Sequence, residues 1–216
     1  NLTPRDQALY TELVYGTVRL RKNLDYILGL FSKRSLNRID PPILNNLRLA
    51  AYQILYLDRI PVSASVNEAV KLSRRFGHEG TAKFTNALLR KVASSRDAIE
   101  YPSFLAKPVE HLALKYSFPR WIVQLWVDWL GKEETKKLCQ VLNLPPQTHL
   151  RANTLKITPG QLADYFFKKG AQVLTGAYAP EIVRISPGRL AVRDPWLQLG
   201  NYYIQDESSA LAAHAL

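Results

Sequence analysis

Chemistry needs a nucleophile, a titratable group or a metal-binding set, and this chain offers few of them. Its single thiol is Cys139. Leu138, Val141 and Leu142 flank it on an amphipathic stretch, which reads as small apolar core packing rather than as a nucleophile. The four histidines, His78, His111, His149 and His214, are scattered, and none stands at metal-ligand spacing from another His or from the Cys. No GxGxxG or GxxxxGK loop and no GxSxG elbow occurs. No residue is singled out as catalytic or as a metal ligand.

Three clusters could instead hold a polyanion. Arg19, Arg21 and Lys22 close the first helical stretch, and Arg74 and Arg75 are followed by Lys83, Arg90 and Lys91. Each cluster could be a solvated face, or a set of cations meeting a helix C-terminus. Two of them in one helical bundle favour phosphate contacts. The third cluster is Leu150 to Thr154, where Arg151 and Asn153 could donate to phosphate, ribose and base edges. It could equally be a turn in which Asn153 and Thr154 bind the backbone, and the spacing leaves both open. Trp121, Trp126 and Trp129 could stack on bases, but helical spacing favours core packing for Trp126 and Trp129.

The charge balance agrees with a polyanionic partner. The 216 residues hold 29 Lys and Arg against 18 Asp and Glu, a net of +11. Residues 1–140 carry 22 against 13, so +9 of that charge lies there. A compact basic protein attracts nucleic acid before other polyanions. With 47% hydrophobic residues there is material for a packed core. No apolar run approaches the roughly 18 to 20 residues of a membrane span. Asn1 to Asp6 is polar and unlike a signal peptide. A lone cysteine cannot form an internal disulfide, which fits a reducing, cytoplasmic setting. The absence of any Met suggests a processed or excised piece of a longer protein.

The elements that must position these groups are mostly helices up to about residue 144. Gln7 to Leu20 is apolar at Leu9, Leu13, Val14 and Val18. Leu47, Ala50, Ala51, Ile54 and Leu55 fit one helical stripe, while Leu49, Tyr52, Tyr56 and Leu57 fill the other faces, so this helix should be central. Ser65 and Glu68 form a capping-box pattern before a helix that buries Val66, Ala69 and Val70 and turns Lys71, Arg74 and Arg75 outward. Phe84, Ala87 and Leu88 mark the next stripe. Pro108 and Pro119 are expected at first helical positions, the second helix burying Ile122, Leu125, Trp126 and Trp129. Glu133, Glu134, Lys136 and Lys137 suit the two ends of a further short helix. Pro145-Pro146 ends the helical run. Beyond it, His149–Asn153, Gln172–Leu174, Glu181–Ile185, Leu190–Val192 and Tyr202–Gln205 read as short strands, and Thr158-Pro159 opens a helix that buries Leu162, Tyr165 and Phe166 and ends at Gly170. A last helix is expected from Asp206 or Glu207 to the final Leu216.

Several segments carry a resemblance to a known family. ELVYGTVR at Glu12–Arg19 before Leu24-Asp25, the block Leu47–Leu57 with Ile60-Pro61-Val62 and Val66–Val70, and FTNALLR at Phe84–Arg90 resemble the NusB-like domain of the RsmB (Sun) family. YSFPRWI at Tyr116–Ile122, LRANTLK at Leu150–Lys156 and YIQDESS at Tyr203–Ser209 resemble the segments that follow it. Members of that family are rRNA cytosine-5 methyltransferases dependent on S-adenosylmethionine. The resemblance implies a mainly α helical bundle over 1–144 that binds rRNA, and a small α+β module for RNA recognition or linking over 145–205. It also implies that 206–216 starts a methyltransferase domain, the catalytic Rossmann-like domain being absent after Leu216. Two cysteines of that domain would act on the base, and none maps onto Cys139. The expected RNA contacts, taken from the basic clusters, are Arg19, Arg21, Lys22, Arg74, Arg75, Lys83, Arg90, Lys91, Arg151 and Asn153. Gln205 and Asp206 would line part of the pocket for S-adenosylmethionine in the parent protein, and no cofactor is expected for this chain alone. The rival expectation is a non-enzymatic NusB-like antitermination module working with a protein partner.

Overall fold

The computed structural model describes residues 3–215; expectations that fall on Asn1, Leu2 and Leu216 lie outside the described residues. The chain divides into two compact units, Asn1–Leu144 and Pro145–Leu216.

The first unit is a bundle of α1 (Pro4–Arg19), α2 (Arg21–Phe31), α3 (Pro41–Tyr56), α4 (Val62–Phe76), α5 (Glu79–Ser94), α6 (Pro108–Lys115) and α7 (Arg120–Leu142). Helix α3 is central because it is apolar on several faces: Ile43, Leu47, Ala50, Ala51, Ile54 and Leu55 are all buried. They pack with Leu24, Ile27 and Leu28 of α2, Val66 and Ala69 of α4, and Leu88, Leu89 and Val92 of α5. A polar seam ties three of these helices together. The Asn46 amide donates to Ala69 O at 2.7 Å and to Ser73 Oγ at 3.0 Å, and the Ser73 and Thr85 hydroxyls are 2.8 Å apart. Gly16 lets α1 lie against α3, since a Cβ there would meet the Tyr52 ring at 2.1 Å. A second, smaller core joins α6 to α7 through Val109, Leu112, Ala113 and Val123.

Several expectations are corrected here. Helix α4 begins at Val62 behind Pro61, so Ser65 is not its N-cap. Ser65 is buried inside the first turns and reaches back to Pro61 O at 3.5 Å, because the apolar stripe of Val66 and Ala69 needs that turn inside. The buried stripe of α5 runs through Ala82, Thr85, Leu88, Leu89 and Val92, leaving Ala87 exposed and Phe84 half-buried. Pro119 is the N-cap of α7 rather than its first residue. Val123 holds the α6 contact, so Trp129 is 77% exposed, Leu125 is exposed and Trp126 is half-buried against Phe118. Gly131, at φ +78°, breaks α7 before Glu133. On α1, only Leu13 of the expected stripe packs on the core; Leu9, Val14 and Val18 face outward, as α1 lies at the margin of the bundle.

The second unit is a four-stranded antiparallel sheet in the order β2-β3-β1-β4, formed by β1 (Thr148–Ala152), β2 (Gln172–Thr175), β3 (Ile182–Ser186) and β4 (Tyr202–Ile204). Helix α8 (Pro159–Lys168) covers one face. Its Leu162 and Phe166 pack on Leu150, Ala152, Val183, Ile185 and Tyr202. Thr158 caps α8 in a full capping box with Gln161, and Gly170 leaves it at φ +81°. The segment expected as a strand at Leu190–Val192 is instead a short helix, α9 (Arg189–Val192), followed by α10 (Pro195–Gln198). Ala191 is buried there and its carbonyl accepts from Tyr202 Oη at 3.0 Å, which fixes a turn of helix rather than an extended edge. Tyr165 is only half-buried, since it stacks on Trp196 at 3.9 Å. On the other face, Ile182 meets Ala210 of α11 (Glu207–His214), whose N-cap is Asp206.

The Tyr165–Trp196 stack stands beside a buried charge. Asp194 is 3% exposed and accepts from Trp196 N, Tyr165 Oη and Lys169 Nζ. Burial pushes its carboxyl up, but the Lys169 ammonium and those hydrogen bonds outweigh burial and hold it below its ordinary 3.8. A depressed folded value means that Asp194 contributes stability above the unfolded carboxylate range, and that this is lost as pH falls below about 4 toward the folded value. Urea unfolding across pH is expected to show the wild-type advantage over Asp194→Asn shrinking below that range. An advantage that stays constant down to acid pH would show that the ionised carboxylate is not what stabilises this site.

Candidate nucleic-acid interface

The expected RNA contacts fall into sites with different local commitments. Arg19 ends α1 and donates to Asn143 O at 3.0 Å, while Lys22 donates through Nζ to Phe118 O at 3.0 Å. Both therefore clamp the two ends of α7. Burial, and then the nearby Arg120, pull the Lys22 ammonium below its ordinary pKa. Arg21 is exposed between them, and the three line a shallow cleft with Val18, Asp25, Ser117 and Pro119. Ser117, at φ +65°, turns its hydroxyl onto the backbone N–H of Lys22, which seats the start of α2.

Arg74 and Arg75 leave the last turn of α4 exposed, as expected. Arg74 is not free: Nε donates to Glu79 Oε2 at 2.8 Å and Nη2 to Oε1 at 3.3 Å. The Arg74 guanidinium in turn holds the Glu79 carboxyl below its usual range. This fork joins the end of α4 to the start of α5 across Gly77, so a phosphate must displace a carboxylate to use it. Arg75 lies over the Phe76 ring, Arg90 donates to Asn86 Oδ1, and Lys83 is exposed. Lys91 lies over the Phe31 ring at 5.7 Å, away from Arg74.

In the second unit, Arg151 sits between Glu181 (3.5 Å) and Gln205 (3.4 Å). Glu181 also has His214 Nε2 at 2.8 Å. The Asn153 amide donates to Gly200 O at 2.8 Å and its Oδ1 accepts from Leu155 N, which is the turn arrangement. Gln205 Oε1 is taken by Arg151, and Asp206 caps α11 through Ser208 and lies 3.5 Å from His149. Gln205 and Asp206 thus form a local polar lattice. The Ser208 hydroxyl and amide hold the Asp206 carboxyl below its ordinary value. Glu207 anchors the start of α11 by accepting from Tyr178 N and Ala179 N at 2.7 and 3.0 Å.

The sequence reading missed Lys33 and Arg34, which face the α2–α5 side near Lys91. Two adjacent cations just after Phe31 were the available signal, a basic run interleaved with an aromatic residue. Among the described residues no helix is long and apolar enough to cross a membrane.

An antiparallel sheet with helices on its faces, joined in sequence to a basic helical bundle, defines a two-domain architecture suited to nucleic acid. Comparison with known proteins gives that architecture its family. Residues 1–94 match the NusB family, and residues 118–190 match the Methyltr_RsmF/B-like, ferredoxin-like domain. A protein of Bacillus subtilis described as a probable ribosomal RNA small subunit methyltransferase B is 37% identical over 217 residues, covering 100% of this chain and 47% of that protein. A Synechocystis protein of the same description is 31% identical over 216 residues, covering 100% of this chain and 48% of its own length. The transcription antitermination protein NusB of Nitrosococcus oceani is 37% identical over 98 residues, 45% of this chain and 66% of that protein. The crystal structure of PH0851 shares the fold at a TM-score of 0.69 and 20% identity, over 99% of this chain and 47% of that one. The chain carries a NusB-family region followed by an RsmF/B-like ferredoxin-like domain, and it spans about half the length of the methyltransferase relatives it matches.

Proposed function

We propose that this chain is the RNA-binding N-terminal half of a small-subunit rRNA cytosine-C5 methyltransferase, and that it holds rRNA for methyl transfer. The observation that carries the reading is the concentration of charge: 22 Lys and Arg against 13 Asp and Glu in residues 1–140, all within the helical unit that contains the NusB match. The proposed contacts are Arg19, Arg21, Lys22, Arg74, Arg75, Lys83, Arg90 and Lys91, with Arg151 and Asn153 from the sheet domain. S-adenosylmethionine is the methyl donor that this reading implies for the whole protein. Gln205 and Asp206 are proposed edge contacts to it, with no chemical step assigned to them. The cytoplasm, where rRNA is modified, is the compartment it implies. A pure antitermination role is less well supported, since residues 118–190 match a methyltransferase-associated domain that follows the NusB-like part.

Filter binding of small-subunit rRNA fragments across a salt series tests the proposal. With about six phosphates engaged, affinity is expected to fall roughly a thousandfold between 50 and 200 mM salt, because binding releases condensed counterions. Binding that is flat in salt, or no binding at all, would reject it.

A further inference from the structure

Between the end of α2 and the middle of α5 lies a cleft of about 300 Å³. Its floor is apolar: the half-buried rings of Phe31 and Phe84, and Leu88. Its rim is cationic, formed by Lys33, Arg34 and Lys91. The Arg34 guanidinium stands 5.6 Å from the Phe84 ring centre, and the Lys91 ammonium 5.7 Å from that of Phe31.

Some cations of the helical unit are already neutralised. Lys71, Arg74, Arg96, Lys107, Arg120 and Lys137 each have a carboxylate partner. Among the described residues, Lys33, Arg34 and Lys91 form no ion pair, and Arg34 and Lys91 meet aromatic rings instead. Three unneutralised cations around an aromatic floor call for a ligand with both negative charge and a π face. A nucleotide has both. A base inside a duplex does not present its face, whereas an unpaired base does.

We propose that this cleft takes one unpaired base of the bound RNA, stacked on Phe84 or Phe31, with the flanking phosphates on Lys33, Arg34 and Lys91. The inference rests on the RNA-binding reading above and adds to it a preference for a single-stranded segment. Arg34 and Lys91 cover the rings in the free protein, so the base exchanges one π contact for another while the cations swing to phosphate. The net charge of the cleft is thereby neutralised, which the free protein does not achieve.

The test uses the full chain and three fluorescein-labelled probes of equal length: oligo(A), an abasic strand and a duplex RNA. Phe84→Leu is expected to weaken oligo(A) binding about tenfold and leave the abasic strand and the duplex unchanged, as removal of one stacking platform requires. Arg34→Ala with Lys91→Ala should weaken oligo(A) binding and make its salt dependence shallower by about two phosphates. Should Phe84→Leu fail to fold, the exposed pair of cations still decides the matter, since neither lies in the core. Oligo(A) binding that is indifferent to the double variant overturns the proposal and leaves the cleft to another occupant. Equal losses on oligo(A) and on the abasic strand with Phe84→Leu overturn base stacking. If the wild-type chain binds none of the probes, the RNA-binding reading itself fails, an outcome distinct from binding that ignores the cleft.

Discussion

Asn23→Ala is expected to destabilise the helical unit by about 3 to 5 kcal/mol, lowering its melting temperature by roughly 10 °C. Asn23 is fully buried at the start of α2. Its amide nitrogen donates to Tyr101 Oη at 2.7 Å, Leu114 O at 3.1 Å and Lys115 O at 3.2 Å. Its Oδ1 accepts from Tyr56 Oη at 2.5 Å. Leu114 and Lys115 end α6, so their carbonyls have no partner further along that helix. One side chain therefore satisfies the end of α6 and two tyrosine hydroxyls, joining α2, α3 and α6. Alanine would leave several polar atoms buried without partners, each at a cost of about 1 to 3 kcal/mol, with incomplete additivity. Thermal and urea unfolding followed by circular dichroism would measure this. A loss under about 1 kcal/mol would mean that water or a shift of α6 replaces the amide.

Nothing in the sequence marks Asn23 for this task. It stands between Lys22 and Leu24, and its partners lie 33 to 92 residues away. Local spacing is silent about such partners, whereas it is informative about α3, where an apolar period of 3.6 repeats over four turns. The same difference separates what could and could not be read of the interface. Exposure of Arg74 and Arg75 followed from Val66 and Ala69 on the opposite face. The fork from Arg74 to Glu79 did not, because it crosses a chain reversal at Gly77 rather than following helical i, i+4 spacing. Trp129 was expected in the core from its spacing with Trp126, but the face of α7 that packs on α6 runs through Val123 and Val127 and leaves Trp129 outside it. Leu190–Val192 is too short for a period of 2 to be told from a single helical turn. In the sheet domain, the capping box at Thr158 and the turn at Gly170 were legible because both are encoded within a few residues. The Tyr165–Trp196 stack was not, since it joins residues 31 apart in sequence.

The 216-residue chain assayed alone is expected to transfer no methyl group to rRNA, and its thiol to react far more slowly than a free cysteine. C5 of cytosine is not nucleophilic until a thiolate adds to the ring, so this chemistry needs an accessible, ionisable cysteine. Cys139 is the one thiol in the chain, and it is fully buried in α7 beside the equally buried Thr135. Burial pushes its pKa up to about 11. At pH 7 that leaves a thiolate fraction on the order of one in ten thousand, against a few per cent for an ordinary thiol. Reaching a base would also require α7 to leave its packing, a local opening with its own free-energy cost. The two effects act in the same direction, so a disulfide reagent should modify native Cys139 at least about a hundredfold more slowly than the urea-unfolded chain. Labelled S-adenosylmethionine with small-subunit rRNA should give no methylcytosine, and Cys139→Ala should bind RNA as the wild type does. Methylcytosine formed by the chain and lost in Cys139→Ala would place a working nucleophile in α7 and overturn the assignment of these residues to RNA binding alone.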